Sequence, residues 1–289
     1  MKNQLKTIFL LGVLSAILIG FGGLLGPGYL YGFTALALIL NVGAYFFSDR
    51  LVLRMSGAQE VTPEQAPALH RMVDELAHRA GIPKPRVCII PEPHPNAFAT
   101  GRNPEHGVVA VTEGIMRLLT ERELRGVLAH ELAHIKNRDI LVSTIAATIA
   151  AAVGYLANAL SFAAIFGGSN QDDEGEGSAG GGLLLALVTP FLAMLVQMGI
   201  SRAREYMADE AGARIADDPE ALASALAKLA QGAELMPMHE PQPATASLFI
   251  VNPLTGGGSL MNWLSTHPPM GERIRRLRAM SRQGQRVAA

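Results

Sequence analysis

Charge is what this 289-residue chain has least of. Only 17% of its residues are Asp, Glu, Lys or Arg, against 49% hydrophobic, and 24 basic and 25 acidic side chains leave a formal net charge of −1. That balance gives no reason to expect a nucleic-acid partner, which would call for a basic surface. Cysteine is nearly absent as well. Cys88 stands alone, so no intramolecular disulfide can form and nothing ties the chain to an oxidising compartment. Set in the apolar run Val87-Cys88-Ile89-Ile90, its thiol reads as a core residue.

The shortage of charge is uneven. None occurs between Lys6 and Asp49, and this stretch divides at the turn-rich segment from Gly22 to Gly28. About twenty helical residues at roughly 1.5 Å each cross a hydrocarbon core of about 30 Å, so the spacing predicts a helical hairpin over about 7–26 and 28–47. A cleaved signal peptide is the competing reading, disfavoured because a second apolar segment follows at once. Two further uncharged stretches, 140–166 and 177–201, flank an acidic connector and predict a second hairpin; a buried pair that only grazes the bilayer is its alternative. Lys2, Lys6, Arg50, Arg54, Lys136, Arg138, Arg202 and Arg204 all border one side of this four-span arrangement. The positive-inside rule then makes both polar halves cytoplasmic. The expected organisation is a transmembrane hairpin (1–48), a catalytic part (49–139), a second hairpin (140–200) and a second catalytic part (201–289).

In the polar halves, Thr62-Pro63-Glu64-Gln65 has the form of a helix start. Leu69, Met72, Val73 and Leu76 share a helical face, and Gly81 ends it. Residues 86–90 and 108–111 read as short strands, joined by a Pro/Asn/Gly-rich link. Helices are expected after Thr112, from about Glu121, and from Asp218-Pro219. Residues 232–266 are Pro-, Gly- and Met-rich and read as a surface loop, with a flap over a cleft as the alternative. The fold class is mainly α with a small β-sheet.

His130-Glu131-Leu132-Ala133-His134 carries the chemistry. On a helix both imidazoles face one way and can share a Zn²⁺, while Glu131, one residue round, can act as general base toward a water. A catalytic zinc needs a third protein ligand. A histidine six residues beyond His134 would supply it in one zinc-protease class, but Asn137 and Ile140 stand where that pattern needs Gly and His. The segment from Ser201 to Asp209 offers a carboxylate instead. Glu205 would bind the metal and Asp209, four residues on, would accept the second N–H of a ligand histidine; an ion pair of Glu205 with Arg202 is the competing reading. An antiparallel hairpin over 140–200 would bring His134 and Glu205 together at one bilayer face.

At these residues the chain resembles the HtpX family of bacterial membrane metallopeptidases, itself similar to the CaaX-prenyl endopeptidases. The likeness spans the apolar segments, the His-Glu-x-x-His pentad, Ser201 to Asp209, and Ser265-Thr266-His267-Pro268-Pro269. It implies a gluzincin-type, zincin fold and one Zn²⁺ per subunit on His130, His134 and Glu205, with Glu131 as catalytic base. It also implies a multi-pass protein of the cell inner membrane that degrades misfolded membrane proteins under stress. Asn96-Ala97-Phe98 begins a segment similar to the one that lies along the bound peptide in that family. His267 and Tyr206 are candidates for stabilising the oxyanion. Arg273, Arg275, Arg276 and Arg278 read as a solvated face, with lipid headgroups as a second use. The alternative functions are a processing protease for lipidated proteins, or a non-enzymatic membrane scaffold with a structural metal.

Overall fold

The computed structural model describes residues 2–149, 202–235, 248–251 and 268–288. Two long helices, α1 (Lys2–Leu25) and α2 (Pro27–Met55), form the N-terminal hairpin. The chain reverses at Gly26, whose φ of 125° only glycine adopts freely. Asn41 Nδ2 donates to Ser15 Oγ across the pair at 2.7 Å. Large apolar side chains on α2, among them Tyr31, Leu38, Ile39 and Phe47, are exposed, as expected of a face solvated by lipid. Among the described residues α2 is the one helix long and apolar enough to cross a membrane, where four spans are expected. Leu5–Gly20 and Ile140–Ile149 are shorter apolar helices, and most of the expected second hairpin lies outside the described residues. Nor does α2 stop near residue 48. Nothing breaks the helix until Ser56-Gly57, where φ turns positive.

A four-stranded sheet follows, of β1 (Gln59–Glu60), β2 (Arg86–Ile90), β3 (Ala97–Thr100) and β4 (Val108–Thr112), in the order β1-β2-β4-β3. The β2–β4 pair is parallel and the other two are antiparallel, so β3 is an edge strand. β3 falls in the link expected to lack regular structure. Its four residues Ala-Phe-Ala-Thr are all buried, and so lack the alternation that marks a half-exposed strand.

Helix α3 (Pro67–Ala80) turns its apolar stripe into the main core, and its end is closed by Gly81 in the left-handed region. It begins four residues later than Thr62 as N-cap suggested. Thr62 and Gln65 do bond as a cap would, Thr62 N–H donating to Gln65 Oε1 at 2.8 Å. But Pro67 disfavours helical backbone at Ala66, so that turn stays separate and Pro67 takes the first helical position. Helix α4 (Glu113–Leu118) is capped by Thr112.

Helix α5 (Glu121–Lys136) runs through the middle of the core. A reciprocal Thr120/Glu123 capping box starts it, and eleven of its sixteen residues are buried. Helix α6 (Ile140–Ile149) follows after Arg138, at φ 56°, and packs Val142, Ile145 and Ile149 against Leu10 and Leu14 of α1. Helices α7 (Arg202–Ala216), α8 (Pro219–Leu235) and α9 (Met270–Ala288) complete the described chain; α7 and α8 both lie against α5.

Candidate metal centre

α5 presents His130 and His134 on one face, their Nε2 atoms 3.2 Å apart and their rings nearly perpendicular, at 88°. Two imidazole lone pairs at that range repel unless a proton or a cation lies between them. From α7, Glu205 places Oε2 3.7 Å from His130 Nε2 and Oε1 3.4 Å from His134 Nε2. One ligand atom from each of the three residues lies within 4.8 Å of the others. Atoms bound to a tetrahedral zinc at about 2.0–2.1 Å stand roughly 3.3 Å from one another, close to the spacing here.

The two helices approach this closely because Gly212 lacks a side chain. A β-carbon there would lie 2.7 Å from His130 Cα and 2.8 Å from its backbone nitrogen. Gly126 makes the equivalent room for α8, where a β-carbon would meet Leu222 N at 2.7 Å. Glycine inside a helix costs conformational entropy, and in both places it is the condition for backbone contact.

Each ligand imidazole is held from behind. His130 Nδ1 lies 3.0 Å from Asp209 Oδ1, and His134 Nδ1 lies 3.2 Å from Asp139 Oδ2. A carboxylate there keeps the ring proton on Nδ1 and leaves the Nε2 lone pair free for a metal. Asp209 is gripped by Arg273, whose Nε and Nη2 donate to its two oxygens at 2.8 and 2.7 Å. Arg273 is fully buried, contrary to the solvated face expected of its helix; Arg275, Arg276 and Arg278 do face water. A guanidinium is tolerated in the core when carboxylates pair it, and Asp209 and Glu205 do so here.

Electrostatics favour a cation at the centre of this arrangement. Among the described residues Glu131, Asp139, Glu205 and Asp209 are buried, with Arg204 and Arg273 as the buried guanidiniums in the cluster. These four carboxyl groups outnumber the two guanidiniums, a balance that suits a divalent cation. Burial pushes the His134 imidazolium down, yet Asp139 and Glu205 outweigh it and raise the group to about 10. Burial raises the Glu131 carboxyl, opposed by both histidines. Asp209 is held below its ordinary range despite burial, through Arg273 and His130. The donor set thus fits a borderline metal that takes nitrogen and oxygen ligands. Beside it lies a cavity of about 30 Å³, lined by Glu131, Ala99, Arg204, Leu248 and Ile250 among others, with room for water.

The remaining expected residues are placed as follows. Asn96 and Phe98 are fully buried at and before β3, and Ala97 turns its carbonyl outward from the sheet. Tyr206 lies under the guanidinium of Arg276, 3.8 Å from its ring centre, and does not line the cavity. His267 lies outside the described residues. Asp139 and Arg273 were not anticipated as partners of the site. Each carried a signal: Asp139 is the last charge before an uncharged run, and Arg273 shares a helical stripe with apolar Met270 and Leu277.

The model of Peptidase family M48 matches residues 63–281, from just before α3 into α9. The chain belongs to this family. As an M48 peptidase it is a metal-dependent hydrolase of peptide bonds, and His130, His134 and Glu205 form a candidate site for the metal. A protease HtpX homolog of Syntrophobacter fumaroxidans is 53% identical over 284 residues, covering 97% of this chain and all of the relative. Another, from Burkholderia thailandensis, is 52% identical over 289 residues, covering 98% and 99%. Among solved structures, S. mikatae Ste24p is similar with a TM-score of 0.48 and 17% identity; the likeness covers 96% of this chain and 65% of that one.

Proposed function

We propose that this M48 peptidase is a zinc endopeptidase of the bacterial inner membrane, with its site on the cytoplasmic face, that degrades misfolded membrane proteins. The observation that carries this reading is the convergence of His130, His134 and Glu205, from helices 71 residues apart, beside a buried Glu131. One Zn²⁺ per subunit would be held by those three side chains. When bound, zinc supplies Lewis-acid polarisation of the scissile carbonyl and makes a water acidic enough to attack near neutral pH.

The protein's own residues do the rest. Glu131 takes the proton of the attacking water and delivers it to the leaving amine, and its desolvated carboxyl is suited to holding that proton in between. Asp209 and Asp139 keep the histidine rings from turning, and Arg273 fixes Asp209. The edge of β3, from Asn96 through Phe98, offers backbone groups for an extended peptide to join as an added strand. The exposed apolar face of α2 and the basic residues at one side of the apolar segments support the membrane setting and its orientation.

The test is cleavage of an unfolded protein and of a prenylated C-terminal peptide by detergent-purified chain. Wild type is expected to cut the unfolded protein with loose sequence preference. Glu131→Gln is expected to keep its metal and lose at least about a hundredfold in rate. Cleavage confined to the prenylated peptide would point to lipoprotein processing instead. Undiminished cleavage by Glu131→Gln would remove the carboxylate from the mechanism.

A further inference from the structure

The edge of β3 that faces the metal centre is already covered, by the chain itself. Residues 248–251, Leu-Phe-Ile-Val, lie along it. Ile250 N–H donates to Ala97 O at 3.0 Å. Asn96 then treats Val251 as a strand neighbour would, accepting from its N–H through Oδ1 at 3.2 Å and donating through Nδ2 to its carbonyl at 2.6 Å. Leu248 and Ile250 line the catalytic cavity, while Phe249 between them packs edge-on against Phe98, ring centres 5.1 Å apart, in a pocket completed by Val52, Leu53 and Ala147. The segment makes this contact through a turn and bends rather than as a paired strand. The space left beside Glu131, about 30 Å³, admits water but no peptide residue.

We propose that residues 248–251 are a resident cover for the site: they occupy the β3 edge at rest, and a peptide enters by displacing them with an apolar sequence that pairs along that edge. This rests on the reading of β3 as the substrate strand and names what that strand selects. A competitor must offer backbone partners to Ala97 and Asn96, an aromatic or large aliphatic side chain for the Phe98 pocket, and aliphatic neighbours toward the cavity. Polar, folded or helical segments do not match these demands. A stretch of membrane protein that has lost its helix does. The preference for misfolded apolar chain is thereby set by competition with the enzyme's own tetrapeptide, because a site open only part of the time binds with an affinity reduced by that fraction.

Two measurements test this on the full, detergent-solubilised chain carrying Glu131→Gln, which binds without cutting. The probe is a fluorescein-labelled peptide with Leu-Phe-Ile-Val flanked by polar residues; a control replaces those four with Ser and Asp. The labelled apolar peptide is expected to bind, and Phe249→Ala in the same background to bind it about tenfold more tightly, with the control weak in both. Unchanged or weaker binding by a Phe249→Ala chain of native thermal stability would overturn the proposal, since 248–251 would then belong to the binding site. Hydrogen exchange needs no substitution in that segment. The amides of Ile250 and Val251 are expected to be protected at rest and to exchange at least about tenfold faster with saturating peptide; protection unchanged or increased would overturn the proposal. If wild type cuts unfolded protein while protection at 250–251 stays, the endopeptidase reading stands and this one falls. If wild type cuts nothing, the endopeptidase reading falls, and the exchange result still decides whether the segment moves.

Discussion

An imidazole bound to a metal has two nitrogens, and its usefulness depends on what holds the one facing away. Asp139 does this for His134 at 3.2 Å and Asp209 for His130 at 3.0 Å, but the two are secured differently. Asp209 has a buried arginine on both oxygens. Asp139 has Oδ1 without a hydrogen-bond partner among the described residues, and so do the terminal nitrogens of Arg204, which lines the same cavity. Asp139→Asn is expected to weaken metal affinity about 10–100-fold while leaving the chain folded. Titration against a chelator of known affinity measures it, and a change below about twofold would show that Asp139 does not orient the ligand. At this scale His130, Glu131, His134, Glu205 and Asp209 were all legible in the sequence, because helical spacing alone puts residues four apart on one face. Arg273 was not, because a helix carrying six arginines looks solvated until an inward-facing one finds a buried carboxylate.

Elements meet at the metal only because two helix surfaces are bare where they touch. A methyl group at position 212 would press on the backbone of His130 and push α7 outward, carrying Glu205 with it. Gly212→Ala is expected to cost about 1–3 kcal/mol, as overpacking does, and to lower metal affinity as well; thermal melting and metal analysis of the purified variant check both. The other end of α5 is fastened through Glu123, which bonds Thr120, Ser224 and Lys228 at 2.6 to 2.9 Å. Burial pushes that carboxyl up, but Lys228, Ser224 and Thr120 outweigh it and hold it at about 2. A carboxyl depressed in the folded chain adds stability above its unfolded value, near 4.3, and loses it as pH falls toward the folded one. Stability is thus expected to drop by an amount on the order of 2 kcal/mol between about pH 5 and pH 2, and Glu123→Gln to show a smaller drop, followed by thermal melting across that range. The caps of α4 and α5 and the stop of α3 were readable in sequence, since each uses a side chain or glycine within a few residues. The start of α3 was misplaced because two turn signals compete there and Pro67 decides between them. Strand β3 was missed because a fully buried strand has no polar face to mark it.

The whole molecule is a polar enzyme assembled on apolar supports. α1 and α2 enter as a hairpin, α6 packs on α1 immediately after the catalytic helix, and α7 returns with the third ligand. At about 1.5 Å per residue the 29 residues of α2 extend roughly 43 Å, longer than a hydrocarbon core of about 30 Å. Its last turns, with Val52 and Leu53 in the cluster around Phe98 and Phe249, belong to the catalytic part. Helix α2 and strand β3 are therefore one packed unit, a connection that hydropathy could not reveal because it registers only where charge is missing. The two distant sequence motifs nonetheless meet, His130 and His134 from α5 with Glu205 from α7. That meeting is the central claim, and it is tested most directly by metal analysis of the detergent-purified chain with and without its distant ligand. One zinc per wild-type chain and less than about a tenth of that in Glu205→Ala, under identical dialysis, is the expected result. A full equivalent of zinc retained by Glu205→Ala would contradict it.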